Sequence, residues 1–199
     1  IDLGVAKTIA VSGENKDHLL PLEQIKRIEK RIGTLQRRKA KVEKFSDRWK
    51  YFGRIVAKLY SRIARIRRDF LHKTSCELSK NHGVIVMEDL RVKNMSKSVS
   101  GTKEEPGRNV AQKSGLNRAI LRQGWGNFRI MMEYKTKWYG SQLIFVSPKN
   151  TSRRCCQCGY THEDNRQAQA DFLCQKCGYN ENADKNAANN IRRLGIESL

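Results

Sequence analysis

The sequence predicts an α/β protein in which helices cover a parallel or mixed sheet and a small cysteine-rich unit interrupts the fold. Three features of the 199 residues lead to this prediction. A continuous apolar run at 84–90 is typical of a strand that is buried on both faces. Helical periodicity flanks this run on both sides, over 22–78 and 117–139. The third feature is a quartet of cysteines between residues 155 and 177.

Two short strands are predicted at the start of the chain, because apolar and polar residues alternate from Ile1 to Ser12. The strands join near Gly4-Val5-Ala6-Lys7, and Ser12-Gly13-Glu14-Asn15 indicates a turn after them. The chain lacks an initiator methionine and opens inside the first predicted strand. We therefore expect it to be a fragment of a longer protein.

An antiparallel helical hairpin is predicted at about 21–80. Apolar residues recur there every three or four positions, which is the period of an amphipathic helix. The first helix would bury Leu22, Ile25, Ile28, Ile32 and Leu35, and the second would bury Ile55, Leu59, Ile63, Ile66, Phe70, Thr74 and Leu78. The break around Phe45-Ser46-Asp47 offers an N-cap for the second helix.

Positive charge is concentrated on this hairpin. The whole chain has 40 Lys+Arg and 20 Asp+Glu, a formal net charge of +20. Residues 21–80 alone hold 19 basic and 6 acidic residues, a net charge of +13. A charged helical face is commonly just solvated, but this lopsided sign favours a polyanion as the partner. Nucleic acid is the preferred interpretation, and a membrane surface is the weaker alternative.

The apolar run Val84–Leu90 contains two adjacent acids, Glu88 and Asp89. Catalytic groups collect at the carboxyl ends of strands in such sheets. Because side chains alternate along a strand, Glu88 and Asp89 are expected to point to opposite faces. Only one of them can then join an acid on a neighbouring strand.

A basic loop is predicted from Val92 to about Leu116, where Ser, Lys, Gly and Asn are frequent and periodicity is weak. Helical spacing resumes from Asn117 to Tyr139, a strand follows at Gln142–Ser147, and a last helix begins near Asp184. We assign the large residues of the 117–139 helix to core packing rather than to base stacking. They are Ile120, Trp125, Phe128, Met131, Met132 and Trp138, and the last helix would bury Ala187, Ala188, Ile191 and Leu194.

Four cysteines form two CxxC knuckles separated by fifteen residues: Cys155, Cys158, Cys174 and Cys177. This spacing can deliver four thiolates to one tetrahedral Zn²⁺. A redox dithiol or a pair of disulfides would be the alternatives, but no secretory segment or thioredoxin-like context is present. We therefore predict a zinc ribbon with a structural Zn²⁺. Cys156 is expected to be a bystander, although it could compete for zinc, and Cys76 a small buried residue.

Three carboxylates complete the pattern, Asp2, Glu88 and Asp184. Phosphodiester hydrolysis requires charge stabilisation of the attacking and leaving oxygens, which two Mg²⁺ ions roughly 4 Å apart supply when carboxylates hold them. Carboxylates suit hard cations such as Mg²⁺, with Mn²⁺ as an alternative. Asp2 would bridge both ions, while Glu88 and Asp184 would each hold one. Taken singly, Asp184 could equally be a helix N-cap and Asp2 a surface acid.

Four stretches of the sequence carry a family resemblance: Ile1-Asp2-Leu3-Gly4, Val86-Met87-Glu88-Asp89-Leu90, Thr151–Gly159 and Asp184–Ile191. In this order they resemble the TnpB, or OrfB-type, proteins of bacterial transposons. The resemblance covers nearly the whole chain. It implies an RNase H-like (RuvC-like) fold with a mixed five-stranded sheet, an inserted helical hairpin and an inserted zinc ribbon.

The resemblance also implies a domain organisation and a set of site residues. Residues 1–149 would form the nuclease core with the hairpin at about 21–80, residues 150–181 the zinc ribbon, and residues 182–199 the final core helix. Asp2, Glu88 and Asp184 match the catalytic triad of the family, and the four knuckle cysteines match its zinc ligands. Family members bind a guide RNA derived from the transposon end and cut DNA, with the sequence read by base pairing.

We therefore predict a Mg²⁺-dependent DNA endonuclease module whose partners are DNA, a guide RNA and a transposase encoded by the same element. The alternative is a catalytically silent nucleic-acid-binding fragment that lacks its upstream domains. A zinc-ribbon component of a ribonucleoprotein would leave the three acids unexplained. The sequence shows no transmembrane-length apolar run and no signal peptide, so we expect a cytoplasmic, nucleoid-associated prokaryotic protein.

Overall fold

The computed structural model describes residues 1–5, 8–13, 18–102 and 104–199. Within them the chain forms helices α1 (Leu22–Ala40), α2 (Asp47–Asn81), α3 (Val92–Met95), α4 (Val110–Gln123), α5 (Trp125–Tyr139) and α6 (Ala183–Ile196). The strands are β1 (Val84–Glu88), β2 (Gln142–Val146), β3 (Asp171–Leu173) and β4 (Asn180–Asn182), and a 3₁₀ turn lies at Glu163–Asn165. The predicted α/β character is confirmed.

Strands β1 and β2 pair in parallel, with Val84 opposite Gln142 and Glu88 opposite Val146. The pairing continues one residue further, because the Asp89 amide donates to the Val146 carbonyl at 2.8 Å. Parallel strands need a long connection between them, and helices α3 to α5 provide it here. The last four residues of β1 are buried, as the apolar run predicts.

The first segment of the chain lies beside β1, since the Ile1 nitrogen donates to the Val86 carbonyl at 2.7 Å. Single antiparallel bridges join Asp2 to Ala10 and Ile9 to His18. The predicted strands are thus reduced to bridges, and the five-stranded sheet is not reached within the described residues. A single bonded pair is too short to form a strand. The predicted joint at Ala6-Lys7 and the turn residues Glu14-Asn15 lie outside the described residues.

Helices α1 and α2 form the predicted hairpin. The Ser46 side chain accepts a hydrogen bond from the Trp49 amide at 3.3 Å, which confirms the N-cap of α2. The two helices enclose an apolar cluster of their own, formed by Leu20, Ile25, Ile28, Ile32, Leu35, Leu59 and Ile63. The 35 residues of α2 extend over roughly 50 Å, so only its second half packs on the rest of the fold.

That second half joins a main core below the sheet. Its buried members are Ile1, Leu3, Ile9, Leu71, Leu78, Ile85, Met87, Ile120, Trp125, Phe128, Met131 and Met132. The assignment of the α5 residues to packing is confirmed for Trp125 and Phe128. It is wrong for Trp138, which is 73% exposed. The buried face of α5 follows Phe128, Met132 and Thr136, so Trp138 falls on the outer side.

The region between β1 and β2 differs from the sequence prediction in three ways, the first being that helix α3 occupies the start of the predicted loop. Helix α4 begins at Val110, inside the predicted loop. Lys113 Nζ of α4 donates a hydrogen bond to the Met95 carbonyl of α3 at 2.6 Å. The predicted helix at 117–139 is divided at Gly124, which has φ +75°. A Cβ at Gly124 would lie 3.0 Å from Arg67 Cδ and 3.1 Å from Leu71 Cδ1. Both the positive φ and this close approach to α2 require glycine.

Helix α6 covers the other face of the sheet and begins where the sequence predicts. Ala187, Ala188 and Ile191 are buried, whereas Leu194 is half-buried. A Cβ at Gly195 would lie 2.2 Å from Val86 Cγ2, so α6 approaches β1 closely. None of the helices in the described part of the chain is long and apolar enough to cross a membrane.

Candidate functional site

Three separate elements carry the predicted carboxylates. Asp2 lies in the first bridge, where it exchanges two 2.9 Å backbone hydrogen bonds with Ala10. Glu88 ends β1 and is 8% exposed, and Asp184 lies in the first turn of α6. The N-cap of α6 is Asn182, whose side chain accepts from the Asp184 amide at 3.1 Å. The Asp184 carboxylate is therefore not the cap.

The electrostatics show that these carboxylates interact. Burial raises the pKa of Asp2 to about 7, and the negative charges of Glu88 and Asp184 add to this effect. Burial also raises the pKa of Glu88, while a hydrogen bond from Thr151 acts in the opposite direction. Converging acids with raised pKa values are typical of functional sites. A bound cation would favour their ionised forms.

Asp89, the other acid at the end of β1, points away from this site. It forms a salt bridge with Arg129 of α5. The same guanidinium donates to Glu133 at 3.0 Å and lies 4.0 Å from the centroid of the Phe145 ring. The hydrogen bond and the charge of Arg129 lower the pKa of Asp89. The prediction that only one acid of the pair joins Asp2 agrees with this arrangement.

The four knuckle cysteines converge on one point. Their Sγ atoms all lie within 4.8 Å of one another, with separations of 3.7 Å from Cys155 to Cys177 and 3.6 Å from Cys158 to Cys174. The knuckles are alike, since the Gly159 and Gly178 amides donate to the carbonyls of Cys155 and Cys174 at 2.9 and 3.0 Å. Both glycines have positive φ, +75° and +73°, which allows the tight turn. The cluster fits one metal ion with thiolate ligands.

Asp2, Glu88 and Asp184 do not form a cluster of this kind in the part of the chain that the structure describes. Within the described ranges, the cysteine quartet is the group of three or more Cys, His, Asp or Glu side chains whose ligand atoms lie close enough together to hold one metal ion. The donor chemistry of Asp2, Glu88 and Asp184 nevertheless fits hard cations, because all three offer carboxylate oxygens. Carboxylates that hold two ions lie around the pair rather than around one point.

Comparison with known proteins places the chain in a family. Residues 1–99 match a family model described as a probable transposase of the OrfB type, and residues 125–191 match the Cas12f1-like TNB domain. Over 195 residues the chain is 47% identical to the "Putative RNA-guided DNA endonuclease InsQ" of Escherichia coli K12, a match that covers 98% of this chain and 48% of that protein. The chain belongs to the TnpB (OrfB-type) family.

Other relatives of this TnpB-family chain agree. It is 31% identical over 155 residues to a TnpB-like protein of Aquifex aeolicus, a match that covers 72% of this chain and 46% of that protein. A chain of the Cas12f1–sgRNA–target DNA complex aligns with a TM-score of 0.60 at 22% identity, covering 99% of this chain and 49% of that one. This likeness shows a shared fold. The chain spans about half the length of the curated relatives it matches.

Thr151 of the TnpB-family chain contacts the candidate site, a role that its sequence spacing does not predict. Its hydroxyl donates to Glu88 Oε1 at 2.5 Å, and the side chain is buried. The position of Thr151 at the start of the Thr151–Gly159 stretch is the signal that could have identified it. Sequence spacing alone does not show a contact across 63 positions.

Arg166 is a second such residue in this TnpB-family chain. It follows the 3₁₀ turn, and its guanidinium lies 3.6 Å from Asp184 Oδ1 while donating to the Gln169 carbonyl at 2.6 Å. The cysteine module therefore places a cation beside Asp184, and its charge also acts on Asp2. Nothing in the spacing of Arg166 marks it among the 40 basic residues of the chain.

Asn186 and Asn190 join α6 to the segment before the first knuckle. Asn186 accepts from the Cys156 amide at 3.0 Å and donates to the Arg154 carbonyl at 2.8 Å. Asn190 donates to the Thr151 and Arg154 carbonyls at 2.9 and 2.6 Å. Both amides are buried and bonded, as buried polar groups require. Two asparagines four residues apart on the buried face of a helix are the signal for this role.

The two remaining cysteines lie apart from the ligand cluster. Cys156 is half-buried, and its backbone amide donates to the Asn186 side chain of α6. Cys76 is half-buried rather than buried. Its thiol lies near the surface, 3.3 Å from the Tyr139 hydroxyl. The prediction of a buried Cys76 is wrong in this respect.

Proposed function

We propose that this chain is the Mg²⁺-dependent DNA endonuclease portion of a TnpB-family protein. Residues 1–149 would be an RNase H-like, RuvC-like core with the hairpin inserted, residues 150–181 the zinc ribbon, and residues 182–199 the final core helix. The observation that carries the proposal is the electrostatic convergence of Asp2, Glu88 and Asp184 from three elements.

The three carboxylates would hold the catalytic cations, Mg²⁺ or Mn²⁺. When bound, a pair of such ions would stabilise the charge on the attacking and leaving oxygens of a phosphodiester. Asp2, whose carboxylate interacts electrostatically with both of the other acids, would hold both ions. Glu88 and Asp184 would each complete one coordination sphere.

Two polar residues would position these ligands. The Thr151 hydroxyl fixes one oxygen of Glu88 and leaves the other free to bind a cation. Charge-assisted bonds of this kind are short and hold a carboxylate in one rotamer. Arg166, beside Asp184, places a guanidinium where it can also attract the scissile phosphate.

The ribbon would hold its Zn²⁺ through Cys155, Cys158, Cys174 and Cys177. Its role in this proposal is structural. The zinc would fix the module that carries Arg166, and the asparagine bonds would hold that module against α6. The zinc ion therefore supports the active site without taking part in the chemistry.

The basic hairpin would bind the nucleic-acid backbone. Along α1, four cations line a shallow cavity of about 420 Å³: Arg27, Lys30, Arg31 and Arg38. Phosphate contacts of this kind give affinity without sequence preference. Base pairing with a guide RNA would then supply the specificity, in keeping with the relatives named as RNA-guided endonucleases.

The test compares two adjacent acids in the zinc-loaded chain. Labelled single- and double-stranded DNA is incubated with Mg²⁺ or without it, using the wild type, Glu88→Gln, Asp184→Ala and Asp89→Asn. We expect Mg²⁺-dependent cleavage in the wild type and in Asp89→Asn, and none in the two site variants. Cleavage that survives in Glu88→Gln would contradict the site assignment. Tight binding without cleavage by the wild type would instead favour a catalytically silent binding fragment.

A further inference from the structure

The end of the helical hairpin has a composition unlike that of a solvated helix terminus. We define the hairpin tip as residues 36–51, which hold seven basic and two acidic residues. Three aromatic residues, Phe45, Trp49 and Tyr51, lie among these charges. Phe45 is 71% exposed and Tyr51 is 54% exposed. Aromatic rings interleaved with cations are typical of surfaces that bind unpaired nucleotides.

Phe45 has an unusual backbone for its size. Its φ is +68°, in the left-handed region where a bulky side chain is strained. The neighbouring Ser46 fixes the turn, because its hydroxyl bonds the Glu43 carbonyl at 2.7 Å and it caps α2. The turn therefore holds Phe45 in place while its ring remains exposed. Neither the backbone conformation nor burial accounts for phenylalanine here.

Trp49 supports the Phe45 ring from one side. The two ring centroids are 5.3 Å apart with an angle of 48° between the planes. Lys39 Nζ lies 3.7 Å from the centroid of the Trp49 ring and so holds the indole from α1. The Phe45 ring thus rests on a fixed partner and leaves most of its surface for a ligand.

The charge and the exposed rings of the hairpin tip indicate which class of ligand it would bind. Seven cations need an anionic partner, and the exposed rings need a flat apolar one. Single-stranded nucleic acid supplies both, because each nucleotide carries a phosphate and a π-face. The cation-lined cavity of α1 leads toward the tip, since it includes Arg38. A backbone bound along α1 would bring its next bases to Phe45.

We propose that the hairpin tip is a stacking site for an unpaired nucleobase, with Phe45 as the platform and Trp49 as its support. The proposal rests on the proposed function in one respect, namely that nucleic acid follows the hairpin. Guide RNA and displaced DNA offer the same chemistry. The tip would hold one single-stranded position outside the three-carboxylate site.

Fluorescence anisotropy on the full chain tests this proposal with three labelled probes. They are a short single strand, the same strand with its central bases replaced by abasic sites, and the blunt duplex of the same sequence. DNA and RNA versions of the single strand distinguish the two sources. Phe45→Leu keeps an apolar side chain but removes the ring, and Phe45→Trp keeps a ring. Trp138→Leu removes an equally exposed aromatic side chain from α5 and serves as the matched control.

We expect Phe45→Leu to weaken binding of the single strand about fivefold or more and to leave the abasic strand and the duplex unchanged. Phe45→Trp should bind at least as tightly as the wild type, and Trp138→Leu should bind like it. Phe45→Gly should melt no lower than the wild type, because glycine tolerates the positive φ, yet should bind as weakly as Phe45→Leu. Weaker binding by Phe45→Gly without a lower melting temperature would exclude a purely structural role.

Two results would overturn the proposal. In one, Phe45→Leu binds the single strand as well as the wild type does, which means that no base stacks there. In the other, Phe45→Leu weakens the abasic strand equally, which means that Phe45 only shapes the basic surface. A third result is distinguishable from both. If the wild type did not bind even the abasic strand, this would contradict the proposed binding of the nucleic-acid backbone along the hairpin.

Discussion

Replacing Asp2 by asparagine should stabilise the metal-free fold while it removes the proposed activity. Burial and the nearby negative charges raise the pKa of Asp2 from its ordinary value of 3.8 to about 7. In the folded chain the carboxyl therefore holds its proton over a range in which the unfolded chain has released it. The free energy of unfolding consequently falls as the pH rises from about 4 to about 7.

The magnitude follows from this difference. A tenfold change in proton affinity corresponds to about 1.4 kcal/mol, so ionised Asp2 costs the folded state on the order of 4 kcal/mol above neutral pH. The asparagine amide cannot ionise, and an Asp2→Asn variant keeps the shape of the side chain without this cost. Between about pH 5.5 and pH 8.5 its advantage over the wild type should grow by roughly 2 kcal/mol.

Urea unfolding of the zinc-loaded chain without Mg²⁺ at the two pH values measures this advantage. Asp89→Asn is the control, because the pKa of Asp89 is lowered by Arg129 and its replacement should destabilise the fold instead. Added Mg²⁺ should stabilise the wild type and not Asp2→Asn, because in the proposed function the ion binds the carboxylates of the folded chain. An Asp2→Asn variant whose stability relative to the wild type does not change with pH would refute this reasoning.

Three further predictions concern the surroundings of the site. Thr151→Val should slow Mg²⁺-dependent cleavage and shift the acidic limb of its pH profile to higher pH, because Glu88 loses the hydrogen bond that lowers its pKa. The control Thr136→Val, which removes a hydrogen bond to the Met132 carbonyl, should leave the acidic limb in place. Identical pH profiles for Thr151→Val and the wild type would count against a role for Thr151. Chelation of zinc should lower the melting temperature of the wild type far more than that of a Cys174→Ser variant, as measured by calorimetry. Equal decreases in the two proteins would exclude a structural zinc ion. Gly124→Ala should lower the free energy of unfolding by about 1–3 kcal/mol, because Gly124 has a positive φ and an added Cβ would crowd Arg67 and Leu71. Gly126 has open space around it, so Gly126→Ala should raise the free energy of unfolding slightly. The reverse order in urea unfolding would contradict the packing argument.

Features that depend on local spacing were predictable from the sequence. The period of the apolar residues located α1 and α2, and Ser46 marked the start of α2 because N-caps have a local chemical signature. The apolar run of β1 and the two CxxC knuckles follow from equally local rules. The alternation of side chains along a strand also predicted that Glu88 and Asp89 point to opposite faces of the sheet.

Features that depend on contacts between distant segments were not predictable. The division of α4 from α5 follows from the approach of α2 to Gly124, which a single helical pattern does not reveal. The bonds from Thr151 to Glu88 and from Asn190 to the Thr151 carbonyl join residues that are 63 and 39 positions apart. Trp138 shows the opposite error, because an aromatic residue in a periodic segment is not buried unless its face meets the core.

The order of the site residues along the chain has a consequence for synthesis. Asp2 is translated near the beginning of this sequence, and Asp184 follows 182 codons later on a helix that must dock on β1. A nascent chain on the ribosome therefore carries its basic hairpin long before it can bring the three carboxylates together. Under the proposed function, incomplete products would bind nucleic acid without cutting it, and cleavage would become possible only after the codons of the last helix have been translated.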